Sequence, residues 1–166
     1  TMAVAMARGD EFEQAVKLLK SYIEGHPDSI KAQVTLARLY QEMELNGLAA
    51  KTYQLLLERF PDTESVYFEL GGLYERMNDF ANALQTYRRL LANDPDNLAM
   101  RHHVARMFVV NRQYDKALSE LEDILRIRPN DPDARRKIGL IYLERENWDA
   151  AAKVFQTLHR ERPDFD

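Results

Sequence analysis

The side chains of this 166-residue chain that could do acid, base or metal chemistry near neutral pH are four histidines and a scatter of carboxylates, with no cysteine. His102 and His103 are adjacent, which puts them about 100° apart around a helix, so they cannot share one metal ion without distortion. No Glu-x-x-His spacing accompanies them. His26 precedes Pro27, a common loop position, and His159 replaces Leu125 and its counterparts in an otherwise apolar column. Glycine-rich phosphate loops are absent, and no Ser/His/Asp arrangement has a distinguishing local context. Glu120, Glu122 and Asp123 read as solvated outer helix faces. The expectation is a protein that binds rather than catalyses, with no cofactor and no metal.

What positions these side chains is a repeat. Pro27, Pro61, Pro95, Pro129 and Pro163 are each separated from the next by 34 residues, a period that marks an array of short units, each burying its apolar face against its neighbours. Twelve residues before each proline stands an alanine: Ala15, Ala49, Ala83, Ala117 and Ala151. Twelve further back comes another small residue, Ala3, Ala37, Gly71, Ala105 or Gly139. Bulky residues follow both columns, Met6, Tyr40, Tyr74, Phe108 and Tyr142 after the first, and Leu19, Tyr53, Tyr87, Leu121 and Phe155 after the second. Large facing small lets two helices approach to ~8–10 Å.

In this register the chain resembles the tetratricopeptide repeat family, whose unit is a helix, a tight turn and a second helix with the pattern W-x2-L-G-x2-Y, then A-x3-F, then P. The third copy matches through Tyr67, Leu70, Gly71, Tyr74, Ala83, Tyr87 and Pro95. The fifth matches through Ile138, Gly139, Tyr142, Ala151, Phe155 and Pro163. The likeness spans essentially the whole chain and implies an all-α, right-handed α-solenoid of about four and a half repeats. The divisions fall at 1–29 (a truncated first repeat), 30–63, 64–97, 98–131 and 132–166, in a single domain read as a segment of a longer protein. Ten helices in five pairs are expected. Proline ends each second helix, and Asp28-Ser29, Asp62-Thr63, Asp96-Asn97 and Asn130-Asp131 suit the caps of first helices starting near Ile30, Glu64, Leu98 and Pro132.

Departures from the pattern carry expectations of their own. The second copy has Glu44-Leu45-Asn46-Gly47 where others place Phe12, Phe80, Tyr114 or Trp148, so its turn should be the least ordered. Arg101 and Arg135 replace aromatics, which leaves those contacts to arginine stems and weakens them locally. Met2, Val4 and Met6 at one end and Val154, Phe155 and Leu158 at the other are apolar where a terminal unit needs polar residues, which would allow self-association through uncapped ends. Thr1-Met2 is set aside as a cloning remnant.

Composition fits a helical array, with ordinary apolar and charged fractions. No apolar run approaches the ~20 residues of a membrane span, so direct membrane insertion is not expected. The absence of cysteine suits cytoplasm and periplasm alike and leaves localisation open. Residues 1–83 carry 8 basic and 13 acidic side chains, and residues 84–166 carry 15 and 14. That balance argues against a general nucleic-acid binder.

The resemblance implies that first helices line a concave groove. On those positions the second copy places Val34 and Arg38, and the third places Phe68. The fourth places His102, His103, Arg106, Val109 and Val110, and the fifth Arg136, Lys137, Leu140 and Leu143. The apolar members are not needed for repeat packing, and the arginines and Lys137 surround them with positive charge. The partner expected is a protein or peptide segment, apolar at intervals and acidic between. A carboxylate clamp of the kind that grips chaperone tails is missing, since its positions hold Val34, Arg38 and Glu69. Three function classes follow: an interaction scaffold that helps assemble a larger complex, a structural or self-associating segment of a larger protein, and a carbohydrate-handling scaffold in polysaccharide export. The last would use Phe68, His102, His103 and the arginines on a charged glycan.

Overall fold

The computed structural model describes the backbone of residues 2–161 and side chains from Glu11 to Glu161. Expectations resting on Thr1, on the side chains of Met2, Ala3, Val4 and Met6, or on Pro163 to Asp166 lie outside the described residues. Within them the chain is helical: α1 (Met2–Gly25), α2 (Ile30–Glu42), α3 (Asn46–Arg59), α4 (Glu64–Arg76), α5 (Phe80–Asn93), α6 (Leu98–Val110), α7 (Tyr114–Ile127), α8 (Pro132–Glu144) and α9 (Trp148–Glu161). They form two compact units, residues 1–90 and 91–166.

Local chemistry sets these boundaries. Ser29, Asn97 and Asp131 accept from the Ala32, Met100 and Ala134 amides, and Pro132 opens α8. Each satisfies an amide that the first turn leaves open. Thr63 occupies the same place before α4 without a side-chain bond. The last helical residues Gly25, Arg59, Asn93 and Ile127 each stand two before a proline, because the proline ring forces the intervening residue towards extended backbone. Phe60 and Arg128 accordingly take φ −129°.

The turns within repeats close without glycine. Glu44, Asn78, Arg112 and Glu146 adopt φ of 56–58°, and after each the next amide reaches back to the first helix at 2.8 Å: Leu45 to Tyr40, Asp79 to Tyr74, Gln113 to Phe108 and Asn147 to Tyr142. The second copy's turn therefore has the same backbone as the others despite lacking an aromatic. Asp10, 34 residues before Glu44, lies instead inside α1, which runs uninterrupted over 24 residues. One long helix thus replaces the expected opening pair, and nine helices rather than ten occur among the described residues. A continuous helix pairs backbone groups that a turn after so short a first helix would leave open.

In the first unit, α2 packs on α3 and α3 on α4 around Ala37, Ala49, Tyr53, Leu56, Tyr67 and Tyr87, all at most 1% exposed. The large-on-small expectation holds at Gly71, where an added Cβ would lie within the Tyr87 ring. In the second unit, α6 packs on α7, α7 on α8 and α8 on α9 around Met100, Val104, Ala105, Ala117, Leu121 and Ile124. A Cβ on Gly139 would stand 2.6 Å from the Phe155 ring. Of Val154, Phe155 and Leu158, expected as a bare end, Leu158 is core at 5% exposed, whereas Val154 and Phe155 are half-buried, with Phe155 packed on Gly139.

Two further readings are corrected in the second unit. Arg101, 17% exposed, pairs with Glu120 and Asp123 of α7 at 3.2 Å and donates to the Pro95 carbonyl. Arg135 pairs with Glu161 of α9 at 2.7 Å and donates to the Pro129 carbonyl. These arginines link helices through ion pairs and not through their stems alone, and Glu120 and Asp123 are ion-pair partners rather than a solvated outer face.

Candidate functional site

In the first unit, α2 and α4 present Val34, Arg38 and Phe68. Arg38 spends its charge on Glu69, which also accepts from the Tyr53 hydroxyl at 3.3 Å. Gln41 donates to the same hydroxyl at 2.9 Å. Burial, followed by the Glu69 charge, pushes the Tyr53 phenol well above its ordinary value, so it stays a neutral donor. Arg76 bonds Gln41, completing a polar network across this face. Phe68, expected to stand exposed, is half-buried, its ring 6.3 Å from that of Tyr87 and tilted by 51°. Val34 is also half-buried.

In the second unit, the end of α6, the turn after it and α8 enclose a pocket of about 380 Å³. Four expected residues, Val109, Val110, Lys137 and Leu140, come together there, joined by Arg112, Tyr114, Ile141 and Glu144. Val110 is 68% exposed and Leu140 43%. Arg112 and Tyr114 were missed because the groove expectation drew on first helices alone, whereas these belong to the turn and to the start of α7.

Lys137 is held at the inner edge of the pocket. Its Nζ lies 3.2 Å from His102 Nδ1, and His102 Nε2 lies 3.4 Å from Asp131 Oδ1. Burial pushes the Lys137 ammonium below the usual lysine range; Arg136 and Arg106 act in the same sense, against the carboxylates of Asp133 and Asp131. For the buried Asp131, burial pushes the carboxyl up, but the Ala134 amide, His102 and Arg128 outweigh it and leave it below its ordinary value. Asp131 was legible only as a cap, and its contact with His102 depends on the fold. His103 turns to Arg106, 3.1 Å away, so the two histidines address different partners. Arg136 pairs with Asp133 at 3.4 Å on its own helix, and Arg106 is exposed. Among the described residues no group of three or more His, Asp or Glu side chains could hold a metal ion, and no helix is long and apolar enough to cross a membrane.

Comparison with known proteins agrees with this architecture. Models of the tetratricopeptide repeat match residues 1–29, 34–97, 74–135 and 109–166. No curated protein matches the chain. Among solved structures, MamA superposes with a TM-score of 0.68 at 20% identity, over 95% of this chain and 92% of that one. YrrB, described as a TPR protein with an unusual peptide-binding site, superposes with a TM-score of 0.64 at 18% identity, over 98% and 84%. A tetratricopeptide repeat protein from Parabacteroides merdae gives 0.68 at 17% identity, over 98% and 65%. At these identities the likeness is one of fold, an all-α helical solenoid. The repeat models together span nearly the whole sequence, and the chain belongs to the tetratricopeptide repeat family, whose members are typically non-catalytic interaction scaffolds.

Proposed function

We propose that this chain is a protein-interaction scaffold without catalytic activity, and that the pocket between α6 and α8 takes a peptide segment with an apolar residue flanked by acidic ones. The repeat divisions at 29/30, 63/64, 97/98 and 131/132 are part of this reading. The observation that carries it is the exposure of Val110 and Leu140 beside the ammonium of Lys137. A fully covered Val or Leu gains about 1.5–3 kcal/mol over an exposed one, and positive charge from Lys137, Arg112 and the nearby Arg106 suits carboxylates on either side of such an anchor. Peptide binding by YrrB gives a precedent on the same fold. Val34, Arg38 and Phe68 are left to a supporting role, since Arg38 is neutralised by Glu69 and Phe68 leans on Tyr87.

Selection of a phage-displayed random peptide library on the whole chain tests this. Peptides with an apolar residue next to Asp or Glu should be enriched on the wild type and lost on a Val110→Lys, Leu140→Lys variant. Both substitutions fall at exposed positions that the core does not need. Enrichment without that pattern, or pattern peptides that survive on the variant, overturns the reading.

A further inference from the structure

Of the seven lysines in the chain, six are exposed and Lys137 alone is half-buried. The repeat does not require it, because the equivalent positions in the preceding copies hold Thr35, Glu69 and His103. An ammonium offers only donors, so His102 Nδ1, 3.2 Å from Nζ, meets it as an unprotonated acceptor. The ring proton then sits on Nε2, which faces Asp131 Oδ1 at 3.4 Å. Asp131 is itself fixed, 4% exposed and accepting from the Ala134 amide at 2.9 Å. The three side chains come from α8, from α6 and from the cap that opens α8. Together they run amine, imidazole, carboxylate, an order in which a nucleophile lies against a base that a third group orients. A lysine reacts through its neutral amine. Burial, with Arg136 and Arg106 acting in the same sense, holds the Lys137 ammonium below the usual lysine range against the carboxylates of Asp133 and Asp131. The same side chain borders the pocket whose walls Val109, Val110, Leu140 and Ile141 are apolar, with Arg112 and Glu144 as its other charged groups.

We propose that Lys137 is an acylation site, taking a short apolar acyl group from a thioester that enters this pocket. The ammonium gives one proton to His102 Nδ1, and the amine attacks the carbonyl carbon. As the C–N bond forms the C–S bond breaks, the second proton leaves nitrogen with the sulfur as a thiol, and an amide with one N–H remains. A thioester suits the site because a thiolate departs without the help of an acid, and His102 faces Nζ as an acceptor. The amide does not turn over, so the event is a stoichiometric modification and not catalysis. It needs no peptide in the pocket and is independent of the peptide reading.

The test incubates the whole chain near neutral pH with S-butyryl-N-acetylcysteamine and follows acylation at each lysine by peptide mass mapping. Lys137 should react at least tenfold faster than any of the six exposed lysines, which serve as internal standards. His102→Gln, with circular dichroism matching the wild type, still meets the ammonium but takes no proton; it should remove that advantage and leave the other six rates unchanged. Unfolding the wild type in urea should also level the seven rates, since Arg135 and Arg136 remain neighbours in sequence while His102 departs. Lys137 reacting no faster than the exposed lysines, an advantage that survives His102→Gln, or one that persists in urea would each overturn the proposal.

Discussion

The first unit joins its helices through phenols as well as through the guanidinium groups of Arg38 and Arg76, whereas the second relies on guanidinium groups. In residues 1–90, Tyr53 bonds Gln41 and Glu69, Tyr74 accepts from Gln54 at 2.8 Å, and Tyr87 donates to Glu75 at 2.5 Å. In residues 91–166, Arg101 pairs with Glu120 and Asp123, Arg135 with Glu161, and Arg145 with Asp115. A tyrosine supplies a packing ring and one neutral hydrogen bond, whereas an arginine supplies a stem and a charge that must be matched. One repeat framework thus accommodates two kinds of helix-to-helix link, and their dependence on salt and pH should differ.

The largest effects should separate ring from hydroxyl. Tyr53→Ala should cost ~3–5 kcal/mol, and Tyr53→Phe only about 1 kcal/mol, because the ring does most of the packing. Arg101→Met keeps the stem, strands two carboxylates and should cost about 1–3 kcal/mol. That cost should shrink modestly in ~1 M salt, because these part-buried charges are screened less than exposed ones, while the Tyr53 values hold. Amide hydrogen exchange in α3 and α7 reads each unit separately. Equal losses for Tyr53→Phe and Tyr53→Ala, or an Arg101→Met cost indifferent to salt, would erase the contrast.

A middle-sized effect tests whether close packing, shared by both units, is set by glycine. Gly71→Ala should destabilise the first unit by about 1–2 kcal/mol, because its Cβ enters the Tyr87 ring. At the adjacent Gly72 a Cβ meets only the end of Arg76 at 3.8 Å, so Gly72→Ala should stabilise by up to ~1 kcal/mol through helix propensity. Urea melts of both variants should move in opposite directions.

The smallest effect concerns acid. The Asp131 carboxyl is held below its ordinary value in the fold, so its stabilisation is complete above the unfolded value near 3.8 and is lost as pH falls through the lower folded one. Asp131→Asn keeps a capping side chain and should remove this part of the acid sensitivity of α8, while α2 and α4, which begin behind Ser29 and Thr63, should be unchanged. Hydrogen exchange between pH 5 and 3 measures it.

Much of the fold was legible because its determinants are local. A proline, a capping residue and a small-then-bulky spacing act within a few residues of themselves, and the starts of α2, α4, α6 and α8 fell where they pointed. What escaped depends on distance across the structure or on a choice between near-equal backbones. Nothing in Glu120 or Asp123 alone reveals Arg101 one helix away, and nothing in Asp131 reveals His102. The left-handed residues Glu44, Asn78, Arg112 and Glu146 share no chemistry, and only their 34-residue spacing could have marked them. The uninterrupted α1 shows the same limit, since Asp10 occupies the turn register yet remains helical. Of the groove residues, those clustered in the pocket share the ends of two neighbouring helices, whereas Arg38 was diverted by Glu69, a partner that the positional expectation did not weigh.

The central claim, that the α6–α8 pocket is the peptide site, is tested most directly by amide chemical-shift mapping of the whole chain titrated with an apolar–acidic peptide from the selection. The largest shifts should fall on Val109, Val110, Arg112, Lys137 and Leu140, and should vanish in the Val110→Lys, Leu140→Lys variant. Shifts centred on α2 and α4, or unchanged in the variant, would contradict it.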